Sequence, residues 1–108
     1  MTHVLRMLSE ANRDFAMIVE WLQTKSVDGA NRWIDGFDAA LAAITDAPLQ
    51  QSLAPEDEFI RREVRQYLFS TKRGRRYRIV FTVVGNEVRV LRVRGPGPDF
   101  LSAEDLTP

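Results

Sequence analysis

Arginine is the chemistry-bearing residue of this sequence, and it is concentrated in one stretch. Arg65, Arg73, Arg75, Arg76, Arg78, Arg89, Arg92 and Arg94 fall within thirty residues, with Lys72 among them. A guanidinium stays charged at any physiological pH, and its planar fork matches the oxygens of a phosphate or a carboxylate. The chemistry on offer is therefore anion recognition, of a nucleic-acid backbone or of acidic side chains on a protein. Proton transfer needs His, Tyr, Glu, Asp or Lys. His3 is the single histidine and no cysteine is present. A Ser-His-Asp triad, a His-rich metal site, a thiolate site and disulfides are set aside on that ground, and no cofactor or metal is expected.

The formal net charge of zero conceals a division. Residues 1–60 hold four Lys/Arg against ten Asp/Glu, a net of −6, and residues 61–108 hold eleven against five, a net of +6. Such asymmetry points toward a polyanion or an acidic partner, although folding could also blend the two halves into a neutral surface. The chain has 108 residues, 44% hydrophobic and 28% charged, which suits one globular domain over residues 1–108 with one core. No apolar run reaches the ~18 residues of a membrane span. The stretch "MTHVLRMLSEANRD" has no signal-peptide core, so the cytoplasm is the expected location.

The elements that must position the arginines can be read from periodicity. "HVLRML" (residues 3–8) predicts a short strand. Ser9 is placed to cap a helix, with Glu10 in its first turn. Ala11, Phe15, Ile18, Val19 and Leu22 mark one face of that helix, which should run to about Lys25. A second helix should begin near Asp28, with Ala30, Trp33, Phe37, Ala40, Leu41 and Ile44 as its apolar face, and Pro48 should end it. The pair reads as a helical hairpin. Trp33 is expected in the core, and Trp21, beside the apolar stripe, partly exposed. Residues 46–58, with two prolines and no clear period, read as a loop.

Three strands follow: one from about Glu63 to Ser70, then "RYRIVFTVV" and "EVRVLRVR" joined at Gly85-Asn86, a two-residue hairpin signal. Pairing Val84 with Glu87 and alternating strictly puts Tyr77, Ile79, Phe81 and Val83 on one face with Val88, Val90, Arg92 and Arg94. Tyr77 is then a core residue. Arg76, Arg78, Val80, Thr82 and Val84 share the other face with Glu87, Arg89, Leu91 and Val93. Arg76, Arg78, Arg92 and Arg94 gather at the end away from the turn. The fold class is α+β, in the order β-α-α-β-β-β, a helical hairpin packed on a small antiparallel sheet. "GPGP" (residues 95–98) breaks strand pairing after Arg94, and Ser102 resembles the cap of one further helical turn.

That order resembles the RelE/ParE superfamily of toxins from type II toxin–antitoxin modules. "LSEANRDFAMIVEWL" and "GANRWIDGFDAALAAI" are similar to the family's two helices, and "YRIVFTV" and "VRVLRVRG" to its central and last strands. The resemblance covers nearly the whole chain. It implies a toxin neutralised by a cognate antitoxin, in a hetero-oligomer, with a role such as plasmid stabilisation through growth inhibition. It implies one of two targets: ParE-like members poison DNA gyrase, and RelE-like members cleave mRNA on the ribosome without a metal.

Arg78 matches the arginine that contacts the scissile phosphate in the nucleases and is the one candidate catalytic residue. Arg65, Arg73, Arg75, Arg76 and Arg78 are the candidate RNA or target contacts. Arg76, Arg78, Arg89 and Arg92 are the candidate antitoxin contacts. Where the nucleases carry a further arginine and a tyrosine or histidine, this chain has "GPGPDFLSAED", with Asp99 or Glu63 as the remaining substitutes. The expectation is a toxin of ParE-like, target-binding action, with a RelE-like ribonuclease or a non-toxic antitoxin-binding member as alternatives.

Overall fold

A computed structural model describes residues 3–55, 63–71 and 75–95. Val4–Met7 form β1, with Leu5 and Met7 turned inward and Val4 and Arg6 outward. Helix α1 spans Ser9–Lys25, and its N-cap position is taken by Leu8 rather than Ser9. The Leu8 amide donates to the Val90 carbonyl at 3.0 Å, which keeps Leu8 extended as a continuation of the strand. Its side chain packs under the sheet. A strand that runs straight into a helix leaves no room for a separate capping residue, so the expected Ser9 cap is not used.

Ser26 alone separates α1 from α2, Val27–Asp46. Its Oγ accepts from the Gly29 amide at 3.0 Å, a proper N-cap for the second helix. A junction this short forces the two helices into an antiparallel pair whose apolar stripes face the same way. The pairing buries Ala30, Trp33, Phe37, Ala40 and Ile44 from α2 and Ala11 from α1, with Phe15, Ile18, Val19 and Leu22 partly buried against them.

Strands β2 (Arg65–Ser70), β3 (Arg76–Val84) and β4 (Glu87–Arg94) form an antiparallel meander, as the sequence predicts. β1 adds at the far edge parallel to β4, giving the order β1-β4-β3-β2. Gly85 adopts φ 61 and Asn86 does not share the positive φ, the pattern of a type II′ turn with glycine first. Residues 46–55 are more structured than a loop. A 3-10 turn spans Pro48–Gln50, and Leu53 bridges to Arg65. Residues 56–58 lie outside the described residues.

The face assignment requires one correction. Val84 does pair with Glu87, but the register shifts between Val80 and Phe81. Phe81 pairs with Val90 and Val80 with Arg92, so Leu91 is an extra residue in β4. One extra residue inverts the alternation beyond it. Val93 therefore faces the helices opposite Ile79, and Arg92 and Arg94 lie opposite Val80 and Arg78. Strict alternation would have driven two guanidinium groups into the core. The bulge buries a valine instead.

Two apolar clusters result. The larger lies between the helices and the sheet, with Phe81, Ile79, Val88, Val90 and Val93 under Trp33, Phe37 and Ile44. At one end of it Phe15, Trp33, Phe37, Phe69 and Tyr77 pack ring on ring, with centroids 4.9 to 6.1 Å apart. Each such pair contributes roughly 0.5–1.5 kcal/mol beyond its buried area. The smaller cluster, Ala54, Val64, Val80 and Leu91 with Leu8, lies on the opposite face, under the segment that follows α2.

Candidate functional site

The fold sorts the arginines into three groups. Arg78 and Arg94 stand directly opposite one another on β3 and β4, on the face turned away from the helices, because Tyr77 and Ile79 on either side of Arg78 face the core. Arg76 is on the same face, exposed, opposite Ser70. Two like charges paired across a ladder repel. The sheet tolerates them here at a half-solvated end, with Gln66 on β2 accepting from Arg78 Nη1 at 3.3 Å. Arg76, Arg78 and Arg94 thus share one end of the open face.

A second group is held by carboxylates or carbonyls of the chain itself. Arg92 forms a two-pronged pair with Asp14 of α1, Nε to Oδ2 at 2.7 Å and Nη2 to Oδ1 at 3.0 Å. The same carboxylate accepts from the Val93 amide at 3.0 Å. Both side chains are only 13% exposed. β1 ends at Met7, so β4 beyond Val90 has no strand on that side, and Asp14 supplies the acceptor that the edge would otherwise lack. Arg65 donates to the Gln51 carbonyl at 2.6 Å and pairs with Glu63, while its buried Nε has no partner. Arg89 donates to Glu87 at 2.6 Å near the Gly85 turn, with Arg6 also within 3.8 Å of that carboxylate.

Arg75 forms the third group. It sits on the helix side of the sheet end, exposed, against a pocket that also contains Lys25 and Arg32. The structure thus brings Arg76 and Arg78 together, sets Arg75 on the other side of the same end, and separates Arg65, Arg89 and Arg92 from both. Arg73 lies outside the described residues, as do Lys72, Asp99 and the whole "PGPDFLSAED" stretch.

Among the described residues, His3, Tyr77 and Glu63 are distant from Arg78 and Arg94, buried or already engaged. His3 precedes β1, whose Val4 pairs with Glu87 beside the Gly85 turn. Arg94 is seven residues further along β4, roughly 23 Å at ~3.3 Å per residue. Tyr77 is 7% exposed, and burial raises its phenol above the usual value of 10.0 against an opposing pull from Arg75. It stays protonated at neutral pH and faces the core. The Glu63 carboxylate is bound by Arg65. Among the described residues no group of His, Asp and Glu side chains has the arrangement to hold a metal ion.

Two features escaped the sequence reading. Asp14 could have been found: it lies at helical spacing from Ala11 and Ile18, and a carboxylate on an apolar stripe signals a buried partner. The pairing of Arg78 with Arg94 could not, because it depends on the Leu91 bulge.

Among the described residues no helix is long and apolar enough to cross a membrane. No individual curated protein shows significant similarity to the chain. A protein family does: residues 5–96 match the family described as "ParE toxin of type II toxin-antitoxin system, parDE". That match runs from β1 to just past β4, and it covers both helices, the arginine-rich sheet end and the bulge. The sequence order, the two-layer fold and the family match agree, and the chain belongs to the ParE toxin family of type II toxin–antitoxin systems.

Proposed function

We propose that this chain is a toxin that arrests growth by binding its target in the cytoplasm, with DNA gyrase as that target, and that a cognate antitoxin neutralises it. The observation that carries the reading is the make-up of the arginine end. Arg76, Arg78 and Arg94 offer charge and hydrogen-bond donors, and His3, Tyr77 and Glu63 are distant, buried or engaged. Such a surface can bind an anionic or polar target. Hydrolysis or transesterification would need an acid and a base beside it.

Antitoxin contacts are proposed at Arg76, Arg78, Arg89 and Arg92. Arg76, exposed on the open face, is the most accessible of them, whereas Arg92 is held by Asp14 and Arg89 by Glu87. An acidic segment crossing the open face would meet Arg76 and Arg78 first, with Arg89 further toward the turn.

A second reading, ribosome-dependent cleavage of mRNA, draws on Arg78 and Arg94, two guanidinium-bearing residues paired across the strands and of a type that binds phosphate. Expression of the chain alone should arrest growth, and co-expression with an antitoxin should restore it. Purified chain should inhibit gyrase supercoiling and leave ribosome-bound message intact. Growth without arrest would instead indicate a partner-binding member of the family that is not toxic.

A further inference from the structure

The helix side of the arginine end carries a site that the open face does not explain. A pocket of about 510 Å³ opens where the end of α1, the start of α2 and the β2–β3 end of the sheet meet. Trp21, Lys25, Arg32, Trp33, Arg75 and Tyr77 are among the ten described residues that line it. Three of the ten are cations, and none is acidic. Among the described residues Lys25, Arg32 and Arg75 form no ion pair. Trp21 is 48% exposed, an unusual placement for a tryptophan, and Trp33, 2% exposed, has an indole N–H with no acceptor. The pocket thus joins apolar ring surface to positive charge that has no acidic partner among the described residues, the make-up of a preformed ligand site.

The rings decide what can enter. A nucleobase would need a free aromatic face to stack on. Lys25 Nζ lies over the Trp21 ring at 5.6 Å from its centroid. Trp33 is stacked on Phe37 and hemmed by Phe15, Phe69 and Tyr77. Lys25 thus covers one face of Trp21, and the core rings enclose Trp33. Apolar ring surface beside cations suits an aliphatic side chain next to a carboxylate.

We propose that this pocket docks an acidic–apolar peptide segment of a partner protein, with an Asp or Glu carboxylate among Lys25, Arg32 and Arg75 and a neighbouring aliphatic side chain against Trp21. Charge complementarity commits the site to that occupant. The proposal rests on the reading that a protein partner holds this chain. It places one anchor of that partner on the helix side, distinct from the arginines of the open sheet face.

Both tryptophans of the chain line the pocket, so intrinsic fluorescence reads its occupancy. A random dodecapeptide display library panned on the full chain should enrich sequences that set Asp or Glu beside Leu, Ile or Val. Titration with an enriched peptide should shift or quench the emission. Arg32→Glu and Arg75→Glu, at exposed positions, should each weaken that peptide about tenfold or more, equivalent to 1.4 kcal/mol, with an unchanged circular dichroism spectrum. The peptide with Gln and Asn in place of its acids should lose as much.

Enrichment of peptides without acids, wild-type affinity in both variants, or a stronger response to adenosine monophosphate or a short single-stranded oligonucleotide would overturn the proposal. The two readings fail separately. A chain that never arrests growth removes the toxin reading while the peptide titration still decides the pocket. A toxin with both Lys25→Glu and Arg32→Glu that arrests growth but is still neutralised by its antitoxin removes the pocket and leaves the toxin reading standing.

Discussion

The two faces of one sheet behave as two different materials. Toward the helices, β2, β3 and β4 present Tyr67, Phe69, Tyr77, Ile79, Phe81, Val88, Val90 and Val93, nearly all of them buried. Away from the helices the same strands present Arg76, Arg78 and Arg94 at one end, and a four-residue apolar cluster beneath the segment that follows α2. Period-two alternation creates the contrast, and a single extra residue, Leu91, keeps it intact where alternation alone would have failed. One face serves stability, and the other, on the proposed function, serves contact. The acidic half of the sequence supplies β1 and both helices, and the basic half supplies β2, β3 and β4.

Substitutions should separate the two faces by size of effect. Phe81→Ala, on the helix side and 0% exposed, should cost about 3–5 kcal/mol of unfolding free energy by chemical denaturation. A loss below 1 kcal/mol would mean that the core is not where the packing puts it. Asp14→Ala should come next, at about 3 kcal/mol, since it strands the Arg92 guanidinium and the Val93 amide together. A double-mutant cycle with Arg92→Met should recover a large part of that loss. Additive losses would show that the pair does not join helix to sheet.

Tyr77 gives a smaller, pH-dependent effect. Burial raises its folded pKa above the unfolded value of 10.0, and Arg75 partly offsets the rise. The stabilisation is therefore fully present below pH 10 and is lost as pH rises through the folded value. Tyr77→Phe should remove this alkaline loss and the late-ionising component of the phenolate absorbance titration. An identical alkaline profile in wild type and variant would contradict the assignment. On the open face, Arg78→Ala should change stability least, by about 0.5 kcal/mol or less. It should nonetheless abolish or sharply reduce growth arrest. A large stability loss there would erase the distinction between the faces.

Much of this contrast is legible in the sequence. The two helices, their apolar stripes, the Gly85-Asn86 turn and the order of strands follow from spacing and residue type, and the core role of Trp33 and Tyr77 follows from their place in those patterns. The strand pairing of β1 does not, because parallel neighbours are far apart in sequence and share no local signal. Nor does the bulge: its cause is the cost of burying Arg92 and Arg94, which alternation rules alone do not weigh. The candidate arginines occupy different settings in the fold. Arg76 and Arg78 stand together as their crowding at the sheet end suggests. Arg65 and Arg92 carry structural bonds, to Gln51 and Glu63 and to Asp14, that only the folded chain reveals.

The central claim is that the open, arginine-bearing face binds a target and does not cut one. Purified chain assayed side by side for gyrase supercoiling and for cleavage of ribosome-bound mRNA tests it most directly. The account predicts inhibited supercoiling, lost in Arg78→Ala, with the message intact. Message cleaved on the ribosome while supercoiling proceeds untouched would contradict it.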